Sequence, residues 1–530
     1  MAKATVLFAT QMGNSEEVAK QICKAAPSQG LELALHSMSE LGSGFQLSTP
    51  AVYVFVLSST GDGEVPDTAR SLLKHLRSLP KTALSGVKYA LLGLGDSNFS
   101  TFQGGPKTLN SLLESVGAEA FLPRGIADEA SGLQKSVEQW QAGLWAPLRR
   151  EVEALVSGRQ AVREVSAVGS DNPQILQGRV LACQLVSEPN AVKKLYELTI
   201  DSCGHTYAAG SNISVYPDNE SAAVSEICAR LALDGELPIT DLKLVPPSVR
   251  WRASLPMTLN DLFLRFIELS APVPKGFGQF FLEHLSDSAE TRECGQIVQE
   301  AQGKMLPVQW SLLGLIRQFP SFTIGSLESL LPQLPPLRSR FYSISSSPVL
   351  RPNAFTIAFC VEGVCTRYLD ALARTPSSTV RFSFPVGDSI FLKPLLESDR
   401  AIFVCTGTGI SPFKGVLEHV ERTREVHKPM WVFYGCRQTT KRTEALNYDF
   451  LYEEEVKTLV GRMGGKLTTT ASRSGVAGLK YVQDALRAES SELSGWNQVA
   501  LICGSFATEE MKTLLATLCP GIRVVVEDWE

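Results

Sequence analysis

The sequence predicts a three-domain protein in which two parallel α/β domains flank a β-barrel that carries a helical insertion. Apolar strands alternate with amphipathic helices in residues 1–150 and again in residues 399–530, an order typical of parallel sheets covered by helices. Residues 176–398 are β-rich at both ends and helical from about 220 to 330. A chain of 530 residues has room for about three domains of ordinary size.

The composition excludes several classes of protein. The chain is 44% hydrophobic and 20% charged, with a formal net charge of -5, which is typical of soluble globular proteins and unlike a basic nucleic-acid binder. We find no apolar run of membrane-spanning length and no signal sequence, so we expect a cytoplasmic monomer without a membrane anchor. The 11 cysteines form no CxxC pair and the 6 histidines are not closely spaced, so we expect reduced thiols and no metal site.

Three apolar stretches predict the strands of the first sheet. TVLFAT (5–10), AVYVFVLSS (51–59) and YALLGLGD (89–96) are each continuous and apolar, as strands buried on both faces should be. Ligands of such sheets bind in the loops that follow the carboxyl ends of the strands. These loops are therefore the candidate site of the domain. Residues 151–175, which lack periodicity after the first turn, are expected to form a linker.

The first of these loops has the character of a phosphate-binding turn. It leads into a helix that begins near Glu16, where backbone amides and the helix dipole favour an anion. It contains no lysine or arginine, which suits a monoester phosphate, and it lacks the GxxxxGK[ST] spacing of nucleotide triphosphatases. The alternative is a polar turn with a capping serine. The loop consists of Thr10, Gln11, Met12, Gly13, Asn14 and Ser15.

Two further loops favour a flavin at this sheet edge. One follows the strand at 51–59, and the other follows the strand at 89–96 and delivers an aromatic side chain. A phosphate cradle with two loops beside a flat ring predicts a site for flavin mononucleotide (FMN). The candidate residues are Ser59, Thr60 and Gly61 in one loop, Gly95, Asp96, Asn98 and Phe99 in the other, and Asp128 in a later loop.

Acidic side chains recur in the same loops. If the loops converge, these side chains would form a negative rim around the flavin edge and steer a basic protein partner towards it. The alternative is that the loops are simply polar. The acidic residues are Asp62, Glu64, Asp67, Asp96, Asp128 and Glu129.

The stretch RFYSISSS (340–347) is the most specific one in the chain. Alternation along a strand places Arg340 and Tyr342 on one face and Phe341 and Ser343 on the other. Arginine can contact a pyrophosphate with two hydrogen bonds, tyrosine can stack on a flavin, and a hydroxyl can reach a ring nitrogen. A generic barrel strand is the alternative.

The last domain contains a glycine-rich turn and a basic cluster. TGTGISPF (406–413) follows a buried strand and opens a helix, so its glycines allow a pyrophosphate to approach the backbone. A hydroxyl and several cations that converge near the adenosine would recognise a 2′-phosphate. The alternative for each basic residue alone is a solvated surface charge. The candidates are Thr406, Gly407, Thr408 and Gly409 in the turn and Arg437, Ser472, Arg473, Lys480, Tyr481 and Gln483 in the cluster.

Together these motifs resemble the NADPH-dependent diflavin reductases over nearly the whole chain. ATQMGNSEEVA, SSTGDGEVPDTAR and LLGLGDSNFSTF are similar to the flavodoxin-like domain of that family, and RFYSISSS is similar to the signature of the ferredoxin–NADP reductase superfamily. The run IADEASGLQKSVEQWQAGLWAPLRR resembles the methionine synthase reductase branch. The resemblance implies a flavodoxin-like domain at 1–150, an FAD-binding β-barrel with a helical insertion at 176–398, and a Rossmann-like NADP(H)-binding domain at 399–530.

The resemblance also implies roles for flavin-site residues. It assigns the Thr10–Ser15 loop to the FMN phosphate and Thr60, Gly61 and Phe99 to the isoalloxazine ring; many relatives have tyrosine where Thr60 stands. It assigns Arg340 to the FAD pyrophosphate, Tyr342 to its ring and Ser343 to the neighbourhood of flavin N5. Backbone amides of a second FAD element would bind the diphosphate, and that element consists of Gly363, Val364, Cys365 and Thr366.

For hydride transfer, the resemblance implies a small set of side chains around the nicotinamide. Cys503 would lie beside the nicotinamide C4 with Ser343 and Glu527 nearby, and Trp529 would cover the FAD ring until the nicotinamide stacks there. Ser505 stands where most relatives have aspartate, and Glu527 stands where they usually have aspartate. The basic cluster would select NADPH over NADH.

The implied function is an electron relay from NADPH to FAD, to FMN and then to a protein acceptor, with the linker allowing the FMN domain to swing. The resemblance favours cobalamin-dependent methionine synthase as the acceptor. A soluble diflavin reductase that serves an iron–sulfur assembly protein or another haem or metal redox partner is the alternative. A non-enzymatic scaffold with degenerate flavin folds is a further one.

Overall fold

The computed structural model covers the whole chain, and it describes most of each expected domain. The described residues are 4–10, 13–41, 47–59, 65–97, 102–130, 132–157, 163–165, 173–187, 194–273, 275–300, 306, 309–375, 377–384, 389–423, 429–437, 450–472, 479–504 and 508–527.

The first domain is a parallel sheet with helices on both faces. Its strands are Ala4–Ala9 (β1), Leu33–Ser37 (β2), Leu47–Thr49 (β3), Ala51–Ser58 (β4), Val87–Gly95 (β5), Glu119–Ala120 (β6) and Gly125–Asp128 (β7). Its helices are Asn14–Ala25 (α1), Arg70–Ser78 (α2), Gly104–Ser115 (α3) and Leu133–Ser157 (α4). The strand order is β2-β1-β4-β5-β6, with β7 also paired to β5, and all of these pairs are parallel.

The central strands of this sheet are buried on both faces, as their continuous apolar sequences predict. One core packs α1 and α4 against one face, and a second core packs α2 and α3 against the other. The parallel pairing points the carboxyl ends of these strands in the same direction. The carboxyl ends of β1, β4, β5 and β7 therefore meet at one edge, where the candidate loops lie.

The expected linker at 151–175 begins differently from the prediction. Helix α4 continues to Ser157, and Arg163–Val165 (β8) pairs with β3 of the first domain in an antiparallel ladder. The end of α4 is anchored because Val152 belongs to the core beneath the sheet. Part of the segment is thus secondary structure attached to the first domain, and the other domain boundaries stay predictions.

The middle region contains an antiparallel barrel. The strands of this region are Leu176–Leu185 (β9), Leu195–Asp201 (β10), Asn212–Val215 (β11), Pro238–Ile239 (β12), Met257–Thr258 (β13), Arg340–Ser343 (β14), Ala354–Cys360 (β15) and Thr379–Ser383 (β16), and all except β12 and β13 belong to the barrel. The barrel order is β14-β11-β16-β9-β10-β15, and an antiparallel bridge between Ile344 and Ile357 connects the two ends of this order. Inward-facing residues such as Ile213, Phe355 and Phe382 fill its interior.

A helical insertion interrupts the barrel between β11 and β14, as predicted. The helices of this region are Ser221–Arg230 (α5), Leu259–Arg265 (α6), Lys275–Glu283 (α7), Ser288–Glu300 (α8), Leu312–Gln318 (α9), Leu327–Leu330 (α10), Val364–Ala373 (α11) and Leu392–Leu396 (α12). Helices α5 to α10 share a separate apolar core, and β12 pairs with β13 beside it. The insertion is therefore an independently packed body on the barrel, and α11 and α12 belong to the segments after β15.

The last domain is again a parallel sheet between helices. Its strands are Ala401–Thr406 (β17), Met430–Cys436 (β18), Lys466–Ala471 (β19), Val499–Cys503 (β20) and Arg523–Glu527 (β21), in the order β19-β18-β17-β20-β21. Its helices are Ile410–Thr423 (α13), Glu453–Arg462 (α14), Val482–Ala488 (α15), Ser490–Leu493 (α16) and Thr508–Leu518 (α17). Two apolar cores cover its two faces.

Within the part of the chain that the structure describes, no helix combines the length and the apolar character that a membrane crossing requires.

Candidate functional site

Hydrogen bonds of the described residues fix the two ends of the loop between β1 and α1. The amide of Gly13 donates to Oγ1 of Thr10 (2.7 Å), and the amide of Thr10 donates to Oγ1 of Thr68 (3.0 Å). Gly13 has φ = +104°, a left-handed conformation that side chains disfavour, and Asn14 then opens α1. Ser15 is fully buried, and its hydroxyl has no hydrogen-bond partner among the described residues. A buried hydroxyl without a partner at a helix start fits a phosphate.

The other flavin loops leave the same sheet edge. The hydroxyl of Ser59 accepts from the amide of Gly105 (3.2 Å) and ties the loop after β4 to the start of α3. After β5, the Asp128 carboxylate accepts from the amide of Ser97 (2.9 Å), so the ends of β5 and β7 are joined. The carbonyl of Gly95 accepts from the amide of Glu129 (2.8 Å). The described parts of the loops after β4, β5 and β7 therefore lie at one edge of the sheet.

Strand β14 places the RFYS residues against β11. The antiparallel register pairs Ser343 with Asn212 and Arg340 with Val215. The Arg340 side chain is about half exposed, and its Nη2 lies 3.7 Å from Oε2 of the buried Glu268. The Arg340 guanidinium is accessible to solvent, and the carboxylate of Glu268 lies close to it on the buried side. Such a guanidinium can bind a pyrophosphate. Phe341 is half-buried on the same strand.

Helix α11 opens beside this strand. Oγ1 of Thr366 accepts from the amides of Glu362 and Gly363 (both 2.9 Å), which caps the helix, and a Cβ on Gly363 would meet nothing within 4 Å. The start of α11, including Val364, is thus open to a ligand. Burial raises the pKa of the Cys365 thiol to about 12, although the neighbouring Tyr342 hydroxyl lowers it. The thiol stays protonated at neutral pH, so a contact of Cys365 with a diphosphate would come from its backbone.

A buried carboxylate joins the barrel to the last domain. Oε2 of Glu527 accepts from Oγ of Ser343 (3.0 Å) and from Sγ of Cys503 (3.3 Å), and Oε1 accepts from Nδ2 of Asn212 (3.5 Å). Glu527 is 6% exposed. The parallel register of β20 and β21 pairs Cys503 directly with Glu527, which explains why their side chains meet. The structure therefore brings together Ser343, Cys503 and Glu527, as the sequence predicts.

The glycine-rich turn after β17 packs tightly against β20. A Cβ on Gly409 would collide with the backbone carbonyl of Cys503, and a Cβ on Gly504 would collide with Thr406. Gly407 has φ = +53° and open space around it, and Thr408 is exposed. The turn is therefore in close contact with β20 at Gly409, and it is open to a ligand at Gly407. Oγ1 of Thr406 is buried without a hydrogen-bond partner in the described structure, which fits a ligand at this turn.

The predicted basic cluster is assembled by adjacent strands. Arg437 follows β18 and Ser472 follows β19, and the amide of Ser472 donates to the carbonyl of Cys436 (3.0 Å). Tyr481 precedes α15 and is 53% exposed, with the ammonium of Lys480 lying 5.3 Å from the centre of its ring. Gln483 lies half-buried in the first turn of α15, which packs against β18 and β19. The described members of the cluster therefore border one sheet edge.

Several predicted residues lie outside the described residues. They are Gln11, Met12, Thr60, Gly61, Asp62, Glu64, Asn98, Phe99, Arg473, Ser505 and Trp529, together with the side chain of Asp67.

The sequence analysis missed three residues of these sites. Asn212 reaches the Glu527 carboxylate, and its buried Oδ1 has no hydrogen-bond partner among described residues. Glu268 holds Arg340. The hydroxyl of Tyr434 donates to the carbonyl of Gly407 (3.3 Å) and steadies the glycine-rich turn. The pairing of β11 with β14 would have pointed to Asn212, but the other two offer no local sequence signal.

Comparison with known families assigns all three domains. The flavodoxin family matches residues 6–140, the FAD-binding domain family matches residues 171–375, and the oxidoreductase NAD-binding domain family matches residues 403–513. The three domains and their order are those of an NADPH-dependent diflavin reductase. The chain is an NADPH-dependent flavoprotein oxidoreductase, and its cofactors are FMN, FAD and NADPH. The contacts of Glu527 with Ser343, Asn212 and Cys503, which we call the carboxylate junction, lie between the FAD-binding and NAD-binding domains of this reductase.

The names of the relatives do not agree on one electron acceptor. Methionine synthase reductase of Mus musculus is 27% identical, with 93% of this chain and 91% of the relative covered. NADPH-dependent diflavin oxidoreductase 1 of Mus musculus is 26% identical, with 91% and 88% covered. The bifunctional cytochrome P450/NADPH–P450 reductase ascE of Acremonium egyptiacum is 26% identical, with 94% of this chain but 47% of the relative covered.

Proposed function

We propose that this reductase delivers electrons to cobalamin-dependent methionine synthase and so restores that enzyme to its active state. The observation that carries the proposal is the similarity to methionine synthase reductases, which extends over 93% of this chain and 91% of the mouse relative. The run from Ile126 to Arg150, on which the sequence-based prediction rests, forms the end of β7 and most of α4 beside the flavin loops. We also propose that the protein is a cytoplasmic monomer.

We propose roles for the first two sites as follows. The Thr10–Ser15 loop binds the FMN phosphate through its amides and the Ser15 hydroxyl, and Arg340 with the start of α11 binds the FAD diphosphate. The buried Ser15 hydroxyl, which has no hydrogen-bond partner among the described residues, supports the FMN assignment. The open start of α11 and the half-exposed Arg340 guanidinium support the FAD assignment. When bound, the flavins supply the exchange between hydride transfer and single-electron transfer.

For the nicotinamide site, we propose that Glu527 accepts hydrogen bonds that position Ser343 and Cys503. Both side chains donate to the same carboxylate oxygen, so their hydroxyl and thiol are oriented before the nicotinamide arrives. We propose that Arg437, Ser472, Arg473 and Lys480 bind the 2′-phosphate. Of these, Arg437 and Ser472 follow the adjacent strands β18 and β19 at the edge that the glycine-rich turn opens, which supports the proposal.

A second candidate acceptor is an iron–sulfur assembly protein or another haem or metal redox protein. The similarity to NADPH-dependent diflavin oxidoreductase 1 and to a P450 fusion protein supports this alternative. Their identities of 26% differ little from the 27% of methionine synthase reductase, so identity does not rank the acceptors. The two proposals share every cofactor and differ only in the protein that receives the electrons.

The experiment compares acceptors on one preparation. The purified chain is first tested for FAD and FMN content and for NADPH-driven reduction of cytochrome c, which is an artificial acceptor and the internal control. The same preparation is then given inactive methionine synthase and, separately, an iron–sulfur assembly protein. Reactivation of methionine synthase at a rate that saturates with its concentration supports the proposal. Active cytochrome c reduction without reactivation refutes the acceptor, while absence of both flavins refutes the site assignments. Size-exclusion chromatography at two concentrations tests the monomer.

A further inference from the structure

The proposed FMN phosphate loop lacks positive charge of its own. Residues 10–15 contain no lysine or arginine, and the first turn of α1 contains two carboxylates, Glu16 and Glu17. A phosphate monoester carries between one and two negative charges at neutral pH. Helix dipoles and amides favour an anion by only a modest amount, and a neighbouring carboxylate opposes it. A cation from elsewhere in the fold would therefore add to the attraction that the amides and the helix dipole provide.

The FAD-binding domain places an arginine, Arg338, at the start of α1. Arg338 lies two residues before β14, and a Cβ built on Gly13 would lie 3.1 Å from its Nη2 atom. The same Nη2 donates to Oε2 of Glu16 (3.0 Å), and Nζ of Lys20 lies 3.4 Å from the other oxygen of Glu16. The guanidinium thus covers the start of α1 although it is 322 residues away from Glu16 in the chain.

This contact is well enclosed. Glu16 is 2% exposed and the Arg338 side chain is 22% exposed, so water screens their interaction only in part. Burial raises the pKa of Glu16, but Lys20 and Arg338 outweigh it and hold that pKa below its usual value. The carboxylate is therefore ionised at neutral pH. A guanidinium has five N–H donors and can contact a carboxylate and a second anion together.

We propose that Arg338 is a phosphate-positioning residue that the FAD-binding domain supplies to the FMN phosphate in the neighbouring domain. The inference rests on the proposed placement of FMN at the Thr10–Ser15 loop. It follows that FMN binding and docking of the two domains are coupled. A ligand that binds the docked form more tightly favours docking, and docking increases the affinity for that ligand by the same factor.

The test measures the affinities of the full-length chain for FMN and for riboflavin, which lacks the phosphate. After removal of FMN, flavin fluorescence quenching gives both dissociation constants for the wild type, Arg338→Gln and Arg338→Lys. We expect Arg338→Gln to weaken FMN binding by about 5- to 20-fold and to leave riboflavin binding unchanged, because a charged hydrogen bond is lost only with the phosphate. Arg338→Lys, which keeps the charge, should recover part of the loss.

Two further variants separate a phosphate contact from a mere docking contact. Arg250→Gln is the matched control, because Arg250 crosses the same interface to Glu40 (3.5 Å) away from the loop. It should leave the ratio of FMN to riboflavin affinity unchanged. Glu16→Gln breaks the pair with Arg338 but keeps the guanidinium, so this ratio should not fall. Retained FAD content and circular dichroism verify folding.

The possible outcomes are distinct. An unchanged ratio in Arg338→Gln overturns the inference, and so does an equal loss of ratio in Arg250→Gln or Glu16→Gln, since docking alone would then explain the effect. A wild-type chain that does not bind FMN overturns the proposed FMN site itself.

Discussion

Replacing Glu527 with glutamine tests the carboxylate junction most directly. The side chain is 6% exposed, and one of its oxygens accepts from both Ser343 (3.0 Å) and Cys503 (3.3 Å). Glutamine has nearly the same shape but no charge, and one of its two terminal atoms is a donor instead of an acceptor. The substitution therefore changes the hydrogen bonding and leaves the volume of the buried site unchanged.

The expected magnitude follows from these two hydrogen bonds. A hydrogen bond to a charged group contributes about 1.5–3 kcal/mol and a neutral one about 1 kcal/mol, so the change costs about 1 kcal/mol per donor. Two donors give about 2 kcal/mol, which corresponds to a roughly 30-fold slower step if both groups must be positioned in the transition state. The affinity for NADPH should change little, because the proposed 2′-phosphate cluster around Arg437 and Ser472 follows β18 and β19, whereas Glu527 ends β21.

The assay is the rate of flavin reduction after rapid mixing with NADPH, measured over a range of NADPH concentrations. Glu527→Gln should lower the limiting rate and leave the half-saturating concentration nearly unchanged. Glu510→Gln is the matched control, because Glu510 is an exposed carboxylate of the same domain, 3.8 Å from Arg487. A limiting rate within twofold of the wild type would refute the argument. A loss of FAD from Glu527→Gln would show a structural role instead.

Three other perturbations have defined outcomes. The pKa of Glu16 is lowered in the folded protein, so the stabilising effect of its ionised carboxylate is complete above the unfolded pKa of about 4.5 and is lost as the pH falls through the lowered pKa. The unfolding temperature of Glu16→Gln should therefore lie below that of the wild type at pH 7, and the two temperatures should converge in acid. Gly409→Ala collides with a neighbouring carbonyl and should weaken NADPH binding, whereas Gly461→Ala, which meets nothing within 4 Å, should stabilise by about 0.5–1 kcal/mol in urea unfolding. Arg437→Ala should raise the KM for NADPH about tenfold and leave that for NADH unchanged, as steady-state assays with each nucleotide would show.

Local patterns were sufficient to predict the elements that form the sites. Continuous apolar strands followed by polar or glycine-rich loops predicted β1, β4, β5 and β17, and two-sided burial explains why such strands have a strong signal. The placement of Glu527 near Cys503 came from the family resemblance and not from a local pattern, and the parallel register of β20 and β21 makes the two residues neighbours.

The sequence did not reveal β9, whose pattern is weak for a physical reason. Most of its second half, including Leu181, Cys183 and Leu185, is exposed, so apolar and polar residues do not alternate there. The strand is held by pairing with β10 and β16 on its two sides, which is a long-range effect. The same holds for β8, which pairs with β3 and lies in the segment predicted to be a linker.

Two of the residues that escaped prediction act across large sequence separations. Asn212 meets Glu527 from 315 residues away, and Arg338 meets Glu16 from 322 residues away. No local pattern encodes such contacts, because each side chain has its function only after two domains are in place.

The contacts of Glu527 and the contact between Arg338 and Glu16 both connect two domains, and they have the same physical consequence. Ser343 and Asn212 come from the barrel while Cys503 and Glu527 come from the last domain, so the proposed nicotinamide site exists only when these two domains are docked. The contact of Arg338 with α1 repeats this arrangement at the proposed FMN phosphate. A substitution that loosens either interface should therefore slow electron transfer without touching a flavin-binding residue. We therefore expect the relay to require domain docking in addition to the chemistry within each domain.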